Sequence, residues 1–150
     1  MRIPLLILTI SLCVPAAFSQ PGADISAMID KGDLDAAAAR IEAVLKTRPD
    51  DLNTLTQKVR LLVLKKQYVE TETLANRIIA RDPANKIALN ARGVAKRDGK
   101  KDFTGALADF DKALAIDPEY PQASFNRAIT LYNGKLGHKS EALDAGSYAI

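Results

Sequence analysis

The sequence predicts an all-α protein built as a stack of helical hairpins. Two spacings carry that prediction. Pro49, Pro83 and Pro118 stand 34 and 35 residues apart, each closing a helical stretch. Leu34, Tyr68 and Phe103 keep the same 34 and 35 step, each just after a turn-like stretch. A fixed period of this size belongs to stacked repeats rather than to one closed globule. Composition agrees: 47% apolar and 26% charged residues suit a soluble folded chain, and scarce aromatics with abundant Ala favour closely packed helices over a β-sandwich.

The first element, residues 1–19, reads as an address rather than as part of the fold. Arg2 gives a positive start, Ile3 to Val14 is a mostly apolar run, and Pro15-Ala16-Ala17-Phe18-Ser19 is a small-residue exit. Ala17 and Ser19 fall where a signal peptidase needs small side chains, which places the cut before Gln20. A membrane anchor needs about 20 apolar residues, and this run is too short. Leu12 is bulky where lipid processing at Cys13 requires a small residue. Removal of the signal takes away the single cysteine, leaving no disulfide, thiol nucleophile or thiolate metal site.

The remaining elements alternate as helix and short turn. Ile25, Met28 and Ile29 form a stripe ahead of Gly32, a natural helix stop. Leu34, Ala37, Ala38, Ile41, Val44 and Leu45 recur at steps of three and four up to Pro49. The next pair is expected over 52–64 and 68–80, and a third over 86–97 and 103–116. The last pair should open at Pro121, which suits a first helical turn. It should run through Tyr132, break around Asn133-Gly134, and resume from Ser140.

These features resemble the tetratricopeptide repeat, a helix–turn–helix unit of 34 residues. The third unit matches best, with Gly93, Gly99, Ala106, Phe110, Ala113 and Asp117-Pro118. Ala37, Ile41 and Pro49 keep the spacing of Ala106, Phe110 and Pro118, and Thr71, Ala75 and Pro83 keep it with weaker residues. The resemblance covers residues 22–150 as approximate units 22–51, 52–85, 86–120 and an incomplete 121–150. It implies a right-handed α-α superhelix of about four hairpins. Small residues such as Gly93, Ala106, Ala128 and Ala142 would let paired helices touch, and neighbouring units would bury what one hairpin leaves open. There are departures. The family's first-helix Trp is replaced by Leu55, Leu89 and Ser124, and unit three carries one extra residue within 99–102. The chain stops at Ile150 inside a unit, which reads either as part of a longer array or as an end open to a partner.

In the family the first helix of each hairpin lines a concave groove. Carried onto this sequence, that implies Ser26, Ile29 and Asp30 from the first unit. The second gives Asn53, Thr56, Arg60 and Val63, and the third Ile87, Asn90, Val94 and Arg97. The fourth gives Gln122, Phe125, Asn126 and Ile129. The asparagines suit the backbone of an extended peptide and the aliphatic residues an apolar floor. Thr56 and Ala91 occupy places where some members carry a clamp for a peptide's terminal carboxylate, so that clamp is not expected. The turns inside hairpins are basic (Lys31; Lys65 and Lys66; Lys96, Arg97, Lys100 and Lys101; Lys135, His138 and Lys139), and the turns between hairpins are richer in acid. Helix dipoles alone favour such lysines.

Catalysis finds no support in the pattern. His138 is the single histidine, and no nucleophile elbow, phosphate-binding glycine loop or metal-ligand spacing is present. A net charge of +3 that includes Arg2 does not predict nucleic-acid binding. The expectation is an exported protein, periplasmic or secreted, non-catalytic and without cofactor, holding a peptide or protein in its groove as a scaffold. The alternatives are self-association through the last helix (Ala142, Leu143, Tyr148 and Ile150) and the N-terminal end of a larger repeat protein.

Overall fold

A computed structural model describes residues 21–146, with side chains described for 22–134. The expected export signal, Cys13, and the last-helix side chains expected to self-associate all lie outside these described residues. Seven helices and no strand occur among the described residues. They are α1 (Pro21–Lys31), α2 (Leu34–Thr47), α3 (Leu52–Leu64), α4 (Tyr68–Arg81), α5 (Lys86–Val94), α6 (Phe103–Ile116) and α7 (Pro121–Gly146).

Local chemistry sets the ends. Asp51, Asn85 and Asp102 cap α3, α5 and α6, their side-chain oxygens accepting from the N–H groups of Thr54, Ala88 and Gly105. Such caps satisfy amides that have no partner inside the helix. The Asp-Pro pairs act differently. Asp82 Oδ1 accepts from Ala84 N and Asp117 Oδ1 from Glu119 N, so each carboxylate closes a turn around its proline. Within hairpins the reversal needs a left-handed residue: Gly32 (φ 85°), Lys66 (φ 57°) and Lys101 (φ 59°) stand at corresponding places.

The extra residue of unit three is absorbed inside the helix. After Val94 the chain takes a π-helical turn over Ala95–Lys100 instead of ending α5 as α3 ends. Single π turns accommodate one additional residue while keeping the helix continuous. Gly99 permits this turn to lie on α4, because a Cβ there would fall 2.8 Å from Tyr68 Cβ.

Packing is local and repeats. Ile25, Ile29, Ala37, Ile41 and Leu61 form one buried cluster, and Leu55, Val59, Ala75, Ile78, Ala88 and Ala91 the next. Val94, Ala106 and Phe110, then Leu89, Ala113 and Ala123, continue the series. Each cluster joins neighbouring helices, so stability is a chain of adjacent contacts rather than one central core.

One expected boundary is not found. α7 runs unbroken from Pro121 to Gly146, so the turn expected around Asn133-Gly134 and the separate helix from Ser140 are absent. Positions 133–139 hold no proline. A glycine inside a helix costs only about 1 kcal/mol relative to Ala, too little to force a break by itself.

Candidate functional site

The first helices of the second, third and fourth hairpins stand side by side and frame a hollow of about 550 Å³. Its floor is aliphatic, from Val63 and Leu64 of α3 and Ile87, Ala91 and Val94 of α5. Its walls are polar: Arg60, Asn90, Gln122 and Asn126 from the helices, with Arg97 and Asp98 from the π turn. Lys66, Tyr68, Lys86 and Tyr120 complete the rim.

Eight of the twelve residues expected in the groove of units two to four line this hollow: Arg60, Val63, Ile87, Asn90, Val94, Arg97, Gln122 and Asn126. The other four are elsewhere. Thr56 is buried, its hydroxyl donating to Leu52 O at 2.8 Å and accepting from Asn85 Nδ2 at 3.2 Å. Asn53 lies against Gly22 at the start of α1. Phe125 and Ile129 lie on α7 outside the hollow, Phe125 being 66% exposed. Of the first-unit residues, Ile29 is buried, while Ser26 and Asp30 serve as partners of Arg60.

Lys66, Tyr68, Lys86 and Tyr120 are rim residues that a first-helix alignment misses, because they sit in turns or at helix starts. A signal was present in the register: Tyr68 is the second of the three evenly spaced landmarks, and Tyr120 precedes Pro121.

The polar walls are tied together. Arg60 donates to Ser26 Oγ (2.9 Å), Gln57 Oε1 (2.8 Å) and Asp30 Oδ1 (2.6 Å), bolting α3 to α1. Arg97 is 7% exposed and grips both oxygens of Asp98 at 2.7 and 2.9 Å. It also donates to Asn126 Oδ1 at 3.0 Å, and Asn126 Nδ2 donates to Asn90 Oδ1 at 3.0 Å. Hydrogen bonds from Arg97 hold the Asp98 carboxyl below its usual range, with Lys101 and Lys66 adding to the effect. Lys86 is held by Asp117 and lies 5.2 Å from the Tyr120 ring centroid.

Most of the basic edge is neutralised. Lys65 pairs with Asp35 (3.5 Å), Lys96 with Asp109 (2.8 Å) and Lys100 with Glu72 (2.7 Å). The side chains of Lys135, His138 and Lys139 lie outside the described residues. Among the described residues no group of three His, Cys, Asp or Glu is arranged to hold a metal ion, and no helix is long and apolar enough to cross a membrane. What the hollow offers chemically is hydrogen-bond donors and positive charge over an apolar floor.

No protein-family model matches the sequence, and no curated protein is similar to it at a significant level. Solved structures are. The first tetratricopeptide domain of Spaghetti (RPAP3), bound to an HSP90 peptide, superposes with a TM-score of 0.63 at 17% identity, over 75% of this chain and 89% of that one. The tetratricopeptide domain of Arabidopsis OM64 gives 0.63 at 16% identity, over 73% and 90%. MamA from Desulfovibrio magneticus RS-1 gives 0.63 at 21% identity, over 86% and 75%. The chain therefore has the tetratricopeptide-repeat fold, an all-α helical-repeat superhelix.

Proposed function

We propose that the protein is an exported, non-catalytic interaction module that holds a peptide or protein partner in the hollow between α3, α5 and α7. The observation that carries this reading is the hollow itself, an aliphatic floor with converging donors, on a fold whose curvature creates extended binding surfaces. A structural neighbour, RPAP3, is bound to an HSP90 peptide, which adds support by analogy. The residues assigned to the partner are those that line the hollow, Ile87 and Asn90 among them. With the export signal read at residues 1–19, the same reading makes the protein a scaffold in an envelope or secretory assembly.

The test has two parts. Protein recovered outside the cytoplasm should begin at Gln20, and recovery with Met1 retained would sink the export reading. An Ile87→Ala/Asn90→Ala variant of unchanged circular dichroism should then lose a partner that the wild type retains from the same fractions. Equal retention by both removes the hollow as the site.

One observation favours self-association as a second reading. Phe125 and Tyr132 are each 66% exposed and Leu131 39% exposed on α7, a concentration of apolar surface on one helix. Light scattering over a concentration series would show a dimer that a Phe125→Ser/Tyr132→Ser variant no longer forms. A monomer at every concentration disposes of it.

A further inference from the structure

α7 carries a stripe that the rest of the stack does not use. Phe125, Tyr132, Lys139 and Gly146 stand seven residues apart, and so do Ile129, Leu136 and Leu143. The two series interleave at steps of four and three, so in a continuous helix they share one face, as the a and d positions of a heptad do. They can share it because α7 runs unbroken from Pro121 to Gly146. That is a rod of roughly 39 Å at 1.5 Å per residue. A turn at Asn133-Gly134 would have cut the stripe in two.

The described end of this stripe is open to water. Phe125 and Tyr132 are each 66% exposed, and Ile129 is half-buried. On α5 the corresponding positions hold Asn90, Arg97 and Val94, which line the hollow. Two polar residues of one unit are therefore aromatic in the next, at places where a water-facing helix would keep them polar. One exposed aromatic needs no explanation, but apolar residues in heptad register across a whole helix do.

The stripe complements itself in one direction. Laid antiparallel on a second copy, it sets Phe125 against Leu143, Tyr132 against Leu136, and Ile129 against Lys139. A lysine at such a place covers its neighbour with its apolar stem while its ammonium reaches water. A parallel pair would instead set Lys139 against Lys139, where like charges repel. It would also crowd both stacks of hairpins, which precede α7, at the same end of the pair. Antiparallel pairing sends them to opposite ends.

We propose that two copies of the chain pair through α7 as an antiparallel coiled coil, with Tyr132 and Leu136 of each copy at the centre of the seam. This rests on the self-association reading and adds the face, the direction and the register of the contact.

Single cysteines placed in a Cys13→Ser chain read direction and register together. In the antiparallel pair Lys135 flanks the seam beside the two-fold axis and meets its own counterpart, whereas the two copies of Gly146 lie roughly 36 Å apart. A disulfide needs Cβ atoms about 4 Å apart. Mild oxidation should therefore turn Lys135→Cys into a covalent dimer on a non-reducing gel and leave Gly146→Cys as a single chain. The reverse result overturns the antiparallel direction. Lys139→Leu completes the apolar stripe and should tighten the dimer about tenfold or more in sedimentation equilibrium, a gain that a folding defect does not produce. A dimer that cross-links at neither position, or that Lys139→Leu leaves no tighter, overturns the seam while self-association through another face stands. A monomer at every concentration overturns both.

Discussion

Phe110 and Gly93 exchange volume across one helix contact. A Cβ built on Gly93 would stand 2.5 Å from Cε1 of the Phe110 ring, with two more ring atoms inside 3.0 Å. In the preceding unit the corresponding residues are Val59 and Ala75, a larger side chain on the first helix facing a smaller one on the second, and they share a buried cluster. Phe110 is fully buried and has nowhere to swing. Gly93→Ala should therefore destabilise the fold by about 1–3 kcal/mol, the usual cost of overpacking. Phe110→Ala should cost about 3–5 kcal/mol by leaving a cavity. Gly93→Val/Phe110→Ala, which rebuilds the Val59–Ala75 arrangement, should cost clearly less than the sum of its single changes. Urea unfolding of the four proteins checks this, and simple additivity would refute the exchange.

That contact illustrates what was legible in the sequence. The 34- and 35-residue steps of the prolines and of Leu34, Tyr68 and Phe103 locate six of the helix starts or ends within two residues, because proline and turn geometry act locally. The sequence also shows that unit three is one residue longer and assigns the extra residue to the turn at 99–102, whereas the structure takes it up one turn earlier, inside the helix. Its placement in the π turn at 95–100 depends on Gly99 resting against Tyr68, a contact 31 residues distant. The same turn positions Arg97 and Asp98 at the hollow. Thr56 was misplaced for a related reason. The family alignment puts it in the groove, whereas Asn85 across the next turn donates to its hydroxyl and the residue is buried.

Lys66 offers a stability test separate from binding. Relief of left-handed strain is worth about 1–2 kcal/mol, and the extra freedom of glycine in the unfolded chain takes back about 0.5–1 kcal/mol. Lys66→Gly should then gain roughly 0.5–1 kcal/mol, while Lys66→Ala, still left-handed, should gain nothing. Equal melting temperatures for the two variants would contradict the strain.

A cation on each first helix reaches an acceptor sixteen residues earlier on the preceding helix. Lys58 meets Glu42 at 2.8 Å, Arg92 meets Asn76 at 2.8 Å and Arg127 meets Asp111 at 2.6 Å. The recurrence follows from the repeat geometry, yet all three pairs are exposed. A double-mutant cycle on Glu42 and Lys58 should give a coupling of about 0.2–1 kcal/mol, reduced by salt. A coupling of several kcal/mol would mean that these bridges, rather than apolar packing, hold the stack.

Asp109 is a different case, because it is 2% exposed. Arg92 grips both its oxygens at 2.6 and 2.8 Å, and Lys96 adds a third contact at 2.8 Å. Leu62 and Leu74 occupy the corresponding places of Lys96 and Asp109 one unit earlier, and they line a common cleft. Asp109→Leu alone strands two cations and should cost about 2–4 kcal/mol, less than for a deeply buried pair because both cations can reach water. Adding Lys96→Leu recreates the Leu62–Leu74 arrangement and should recover most of that loss. A double variant as unstable as Asp109→Leu would show that the charges stabilise more than an apolar contact can.

The same carboxylate fixes the direction of a pH effect. Burial pushes the Asp109 carboxyl up, but hydrogen bonds from Arg92 and Lys96 outweigh it, so the folded-state value lies below the ordinary 3.8. A depressed carboxyl adds stability that is complete above its unfolded value, about 3.9, and is lost as pH falls through the folded value. Wild type and Asp109→Asn should therefore differ by a constant amount from neutrality down to about pH 5. The gap should close as the solution is made more acidic, since protonation removes the ion pairs that the asparagine already lacks. Other depressed carboxyls, Asp51 and Asp98 among them, titrate in both proteins and drop out of the difference. Urea midpoints measured on both proteins across that range decide it, and a gap that widened toward acid would mean that Asp109 is protonated more readily in the fold than in the unfolded chain.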